Sequence, residues 1–274
     1  MTTRVPRAPT TSTSILALSR ALSIMTSNHL SPSDFPGIVL DIVPSASRST
    51  VNILILLHGL GDSKEAFTQF GKNINLAETT CISVRGFTPI PALILGDDTP
   101  SFHWTTDIIV DDSTGELDID GDFTPSISRL SSLLITPLIS DHKIPARNIF
   151  FFGFGQGGML ALSLLSIQSF SSVEFGGAVS IGAASITSNT PSNTSVGNSK
   201  SPTPILVCGG KKSTHVTKRA LQNLREKFKD VEYVGWAKAG DGMPASREEI
   251  LPIFKFWGRR LQSRAGVVEG AVEL

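Results

Sequence analysis

Short apolar segments alternate with longer amphipathic ones from residue 37 onwards. Nearly uninterrupted apolar runs at 51–57, 148–152 and 204–208 are typical of strands that are buried on both faces of a sheet. Further strands are predicted at 37–43, 80–84, 177–181 and 231–236. Helices are predicted at 64–76, 123–141, 159–170, 216–229 and 247–262. This alternation predicts an α/β fold with a mostly parallel central sheet and helices on both faces.

The chain divides into three parts. Residues 37–264 form the predicted α/β domain, and 265–274 are a short tail. Residues 1–36 are an arm with Arg4, Arg7 and Arg20 and no acid before Asp34, a composition that fits a mitochondrial transit peptide. The alternatives are a disordered arm, or an extension upstream of a true start at Met25. We expect a cytoplasmic protein, with the mitochondrion as the alternative.

Charge and cysteine content exclude several classes of function. Lys plus Arg and Asp plus Glu number 24 each, so the net charge is zero. That balance gives no electrostatic attraction to nucleic acid or to an acidic membrane. Cys81 and Cys208 are too few for a disulfide framework or an ordinary zinc site, and both are predicted as buried thiols. The acid-rich stretch 107–122 lacks the spacing of a calcium loop, so no metal or cofactor is expected.

The stretch between Arg147 and Glu174 has no charged residue and is long enough to span a bilayer. Its glycine-rich segment 153–158, Gly-Phe-Gly-Gln-Gly-Gly, indicates a strand, a sharp turn and a buried helix instead. Glycines in a strand–turn–helix are the backbone of a nucleophile elbow, G-x-S-x-G. Gly155, however, stands at the nucleophile position. A phosphate-binding loop fits less well, because the G-x-G-x-x-G register and the P-loop lysine are absent.

A second motif, Leu57-His58-Gly59-Leu60-Gly61-Asp62, follows the strand at 51–57. Together the two motifs resemble the phospholipase/carboxylesterase family of α/β-hydrolases, which includes acyl-protein thioesterases. The resemblance extends to Trp104 and Asp107 and to the order of the elements. It implies an α/β-hydrolase fold and an oxyanion hole formed by the backbone N–H groups of Leu60 and Gln156, within a binding loop that includes His58 and Gly59.

The chain departs from the family at all three positions of the catalytic triad. The elbow has Gly155 in place of serine, and the turn that carries the family's aspartate has Lys211 and Lys212. The turn that carries the family's histidine has Asp241. His58 is predicted to shape its loop, and Asp241 is predicted to cap the last helix or to pair with Lys212.

Two residues are candidate substitutes for the missing groups. Ser63 lies in the oxyanion loop and is a candidate displaced nucleophile, and His215 lies in the loop of the missing acid. A serine without a base in hydrogen-bond reach is a weak nucleophile. The lysines at 211 and 212 either attract an anion, such as a fatty-acid carboxylate or a phosphate ester, or are solvated loop residues.

Three hypotheses follow. The first is a degenerate family member that binds an acyl ester, a thioester, a fatty-acid-like ligand or an acylated protein without turnover. The second is an active carboxylic-ester or palmitoyl-protein thioester hydrolase that uses displaced groups. The third is a structural or interaction role.

Overall fold

The computed structural model describes residues 30–47, 49–96, 99–108, 119–186 and 200–264. Its strands are β1 Leu40–Val43, β2 Asn52–Leu57, β3 Thr79–Val84, β4 Thr88–Ile90, β5 Ser101–His103, β6 Ile149–Phe154, β7 Gly177–Ile181, β8 Ile205–Gly210 and β9 Val231–Trp236. Its helices are α1 Lys64–Ile74, α2 Ala92–Leu95, α3 Thr124–Leu130, α4 Thr136–Ser140, α5 Gln156–Ser166, α6 Lys218–Lys227 and α7 Arg247–Gly258. A π-helical turn, Ser131–Ile135, joins α3 to α4.

The central sheet has seven strands in the order β1-β3-β2-β6-β7-β8-β9. All neighbouring strands in it are parallel except β1, which pairs antiparallel with β3. Alternate side chains of the buried strands enter two separate cores, as a pleated strand requires. One core includes α3, α4, α5 and α6, and the other includes α1 and α7. The prediction of a mostly parallel sheet with helices on both faces is therefore confirmed.

Several local predictions differ from the structure. The small β4–β5 sheet and α2 were not predicted, because these segments are short and rich in proline and lack a clear period. The predicted helix at 159–170 begins earlier, at Gln156. The polar stretch 185–203 was predicted as a surface loop, but Ser201 and Thr203 are buried. Thr203 is buried because its hydroxyl accepts the Phe175 N–H and donates to the Val173 carbonyl.

Other predictions fall outside the described residues, in whole or in part. These are the N-terminal arm up to residue 29, the tail at 265–274, and the central parts of the acidic stretch and of the polar stretch, 109–118 and 187–199. In the described part, Cys81 and Cys208 are free and buried, as predicted. Burial raises the pKa of each thiol to about 12. No helix in that part is long and apolar enough to cross a membrane.

Candidate functional site

The turn between β6 and α5 has the backbone of a nucleophile elbow. Gly155 occupies the N-cap position of α5 with φ 50° and ψ −117°, a conformation that side-chain-bearing residues rarely adopt. Its N–H donates to the Ile181 carbonyl at 2.8 Å, and its carbonyl accepts the Met159 N–H at 3.0 Å. The sharp turn is thus retained although position 155 carries no side chain.

The glycines on either side of Gly155 are needed for close packing. A Cβ on Gly157 would lie 2.3 Å from the Leu57 carbonyl oxygen, and a Cβ on Gly153 would lie 2.4 Å from the Gly157 carbonyl oxygen. Because these are backbone contacts, a side chain at position 157 would push the elbow away from β2, and one at position 153 would push β6 away from the start of α5. A Cβ on Gly155, in contrast, would meet nothing within 4 Å. The space where a serine side chain would stand is open.

Two backbone N–H groups in the elbow and in the turn packed against it have no acceptor among the described residues. Gln156 is the first residue of α5, so its N–H has no acceptor inside the helix. Leu60 lies in the turn after β2, and its N–H donates to no acceptor among the described residues. Gly59 lets this turn approach the elbow, because a Cβ there would be 2.7 Å from the Phe154 ring. These are the two donors that the resemblance predicted for an oxyanion hole.

The side chain of Gln156 fixes the elbow to the segment after β5. Its Oε1 accepts the Trp104 N–H at 2.8 Å, and its Nε2 donates to the Ile119 carbonyl at 3.3 Å. The Trp104 indole N–H donates in turn to the His58 carbonyl at 2.8 Å. Gln156, Trp104 and His58 are at most 1% exposed. A buried hydrogen-bond network therefore joins the elbow to the oxyanion loop.

His58 shapes this loop and has no free nitrogen for catalysis. Its Nε2 accepts the Gly86 N–H at 2.8 Å, so the ring proton lies on Nδ1, which donates to the Gly59 carbonyl at 2.7 Å. Burial lowers the pKa of His58. The imidazole is therefore neutral at pH 7, as the predicted structural role requires.

The turn after β9 places Asp241 against the ends of β7 and β8. Its Oδ1 accepts the Gly210 N–H at 2.9 Å, and a Cβ on Gly182 would lie 2.9 Å from the Asp241 Cβ. The predicted pairing of Asp241 with Lys212 is wrong, because no ion pair joins these two described residues. A backbone hydrogen bond from the Lys212 N–H to the Ala239 carbonyl holds their two turns together instead. The predicted helix cap is also wrong, because the Ser246 hydroxyl caps α7.

The lysines of the loop after β8 point into solvent. Lys211 and Lys212 are exposed, and their backbone N–H groups donate to the Lys238 and Ala239 carbonyls. Their side chains form no ion pair with any residue in the described ranges. Their exposure agrees with the interpretation of both lysines as solvated loop residues.

The structure does not bring the two candidate substitutes together. The Ser63 hydroxyl donates to Glu65 Oε2 at 2.5 Å. That hydrogen bond lowers the pKa of Glu65 to about 2, so the carboxylate is a poor base. His215 is half-exposed in the loop after β8, and no hydrogen bond joins it to Ser63.

One buried histidine next to the site was missed by the sequence analysis. His103 Nδ1 donates to the Thr105 hydroxyl, which in turn donates to the Asp107 carbonyl. Burial lowers the pKa of His103, against an opposing effect of the Asp107 charge. Nothing in the sequence marked it, because β5 was not predicted. Within the described ranges no group of His, Cys, Asp and Glu could hold a metal ion.

A mostly parallel sheet with a nucleophile elbow between a strand and a helix is the arrangement of α/β-hydrolases. The profile of the phospholipase/carboxylesterase family matches residues 40–251, and the chain belongs to this family. An uncharacterized hydrolase from Schizosaccharomyces pombe is 31% identical over 225 residues, which are 81% of this chain and 89% of the relative.

Solved structures show the same fold at low sequence identity. Acyl-protein thioesterase 2 from Zea mays has a TM-score of 0.57 at 18% identity, with 82% of this chain and 99% of that chain covered. The Bacillus cereus carboxylesterase has a TM-score of 0.54 at 14% identity, with 82% and 96% covered.

Proposed function

We propose that this chain is a non-catalytic member of its family that binds an acyl ligand at the elbow. The observation that carries the proposal is Gly155. The elbow backbone is intact, but the space for the nucleophile is open and no side chain fills it. The ligand is a fatty-acid carboxylate, or the ester or thioester of an acylated molecule, including an acylated protein.

The physical basis is anion binding at a helix N-terminus. The first N–H groups of an α-helix lack internal acceptors and lie at the positive end of the helix dipole. An oxygen of the ligand accepts from the N–H groups of Leu60 and Gln156. The open space beside Gly155 leaves room for the second oxygen of a carboxylate, which a serine side chain would displace.

Turnover is not expected, because the candidate catalytic groups His58, Ser63 and Asp241 are bonded to other partners. Both nitrogens of His58 are hydrogen-bonded to the backbone, and Ser63 is paired with a weakly basic carboxylate. Asp241 Oδ1 is bonded to the Gly210 N–H. A nucleophilic hydroxyl needs an adjacent base to react at neutral pH. The arrangement thus supports binding over hydrolysis.

The first experiment measures hydrolysis of a short p-nitrophenyl ester by the purified full chain. We expect a rate equal to that of an unrelated protein. A clear rate that disappears in Ser63→Ala or His215→Ala would contradict the proposal and support a hydrolase with displaced groups.

A second experiment measures binding of octanoate by the shift in unfolding temperature. We expect octanoate to stabilise the wild type and the Leu60→Ala variant, which keeps the backbone N–H. Leu60→Pro removes that N–H and is expected to lose the shift while remaining folded by circular dichroism. No shift in the wild type would refute the binding function.

A further inference from the structure

Arg85 is a half-buried guanidinium without a counter-ion. It directly follows β3, and its backbone N–H donates to the Val39 carbonyl. Its guanidinium carbon lies 4.5 Å above the centre of the Phe102 ring. Its Nε is fully buried and has no hydrogen-bond partner. Across the described ranges, Arg85 forms no ion pair.

This arrangement is unusual because a guanidinium is always charged and its buried N–H groups are normally bonded. Two acids close to Ser63 in the chain, Asp62 and Glu65, are bonded to groups other than Arg85. Asp62 Oδ1 accepts the Ser63 N–H at 2.7 Å. Glu65 accepts the Ser63 hydroxyl and pairs with Lys64 at 3.0 Å. The folded chain therefore leaves the donors of Arg85 unused.

The position of Arg85 connects it to the candidate site. In the sheet, β3 is next to β2 and β2 is next to β6, so Arg85 follows a strand two places from the elbow strand. At a spacing of about 4.8 Å per strand, its backbone is about 10 Å from the elbow along the same edge. Ligands of open α/β sheets bind at this edge, at the carboxyl ends of the strands.

Backbone hydrogen bonds also join Phe102, whose ring lies under Arg85, to the oxyanion loop. The Gly61 N–H donates to the Phe102 carbonyl at 3.1 Å, and the Phe102 N–H donates to the Asp62 carbonyl at 3.0 Å. Gly61 follows Leu60, the residue with the free N–H. The stacked guanidinium is therefore held in place relative to the candidate oxyanion hole.

We infer that Arg85, stacked on Phe102, binds a second anionic group of the ligand, a carboxylate or a phosphate. This inference rests on the proposed function and narrows it: the ligand is an acyl compound with a second anionic group away from its acyl carbonyl. The two terminal nitrogens of the planar guanidinium match such an anion with two parallel hydrogen bonds. Stacking on the ring orients it before the ligand arrives.

The test compares the affinities of three ligands of similar length, measured by calorimetry with the full chain. Octanoate has one anionic end, octanedioate has two carboxylates, and 8-phosphonooctanoate has a carboxylate and a phosphonate. We expect at least one of the latter two to bind about tenfold more tightly than octanoate. Which of them binds better distinguishes a carboxylate from a phosphate as the second group.

The variants are Arg85→Gln, which removes the charge, and Arg85→Lys, which keeps it without the planar fork. Arg85→Gln is expected to bind all three ligands equally, while Arg85→Lys retains part of the preference. Arg247→Gln, at an exposed arginine that begins α7, is the matched control and is expected to bind like the wild type.

The outcomes distinguish the role of Arg85 from the proposed function. If octanoate binds but the dianionic ligands bind no more tightly, the role of Arg85 is refuted and the proposed function stands. A preference that persists in folded Arg85→Gln also refutes the role of Arg85. If none of the three ligands binds the wild type, both proposals fail.

Discussion

Side chains introduced at the elbow test whether the nucleophile space is open. The Cβ that Gly155→Ala and Gly155→Ser add meets nothing within 4 Å, so the Cβ creates no clash. The cost is backbone strain, because φ 50° and ψ −117° are unfavourable for any residue other than glycine. Strain of this kind costs about 1–3 kcal/mol.

The unfolded chain offsets part of that cost. Replacing glycine by alanine reduces the conformational entropy of the unfolded chain, which raises the free energy of unfolding by about 0.4–1 kcal/mol. The net loss in the free energy of unfolding is therefore about 0–2.6 kcal/mol. In a domain of this size, that loss lowers the unfolding temperature by at most about 10 °C. Urea denaturation and thermal unfolding, both followed by circular dichroism, measure the two quantities.

Gly157→Ala is the matched control. Its Cβ would lie 2.3 Å from the Leu57 oxygen and 2.5 Å from the His58 oxygen, so β2 and the elbow would have to separate. We expect a loss above about 4 kcal/mol, or no folded protein. Equal destabilisation by Gly155→Ala and Gly157→Ala would show that the space at position 155 is not open. Gly155→Ser is also expected to hydrolyse no ester, because no base is placed beside it.

Three further predictions concern stability, thiol chemistry and targeting. Burial lowers the pKa of His58 below its ordinary 6.5. As the pH falls, His58 therefore takes up its proton at a higher pH in the unfolded chain than in the folded chain. The free energy of unfolding should decline below about pH 6.5, and less steeply in His58→Gln; an equal decline in His58→Gln would contradict this. Cys81 and Cys208, with pKa values of about 12, should react with Ellman's reagent only after unfolding in urea, and rapid labelling of the native chain would contradict their burial. A fluorescent reporter fused to residues 1–36 is expected to stay in the cytosol, and a mitochondrial pattern would favour the alternative.

The strands of the central sheet were predictable because burial on both faces leaves a strong apolar signal. The predicted strands at 177–181 and 231–236 coincide with β7 and β9. The predicted strands at 80–84 and 148–152 differ from β3 and β6 by at most two residues. By contrast, β4 and β5 have three residues each, which is too short for alternation to be distinguished from a loop.

The site was predictable in position but not in detail. The two glycine motifs located the elbow and the oxyanion loop, because their backbones need glycine at defined points. The hydrogen bond from the Gly210 N–H to Asp241 Oδ1 joins residues 31 apart in the chain, and no local pattern records it. The stacking of Arg85 on Phe102 was not predictable either, because it depends on an unpredicted strand.

The elbow persists without its nucleophile because the contacts that hold it lie outside the triad. The Gly155 N–H is bonded to Ile181, and the Gln156 side chain is bonded to Trp104. Neither contact involves a serine, an acid or a catalytic histidine, so losing those groups leaves the turn and its free N–H groups in place. Donors at a helix N-terminus bind anions whether or not a nucleophile stands beside them. Anion binding is therefore the chemistry that we propose for this site, with Arg85 proposed as the group that determines which anion it takes.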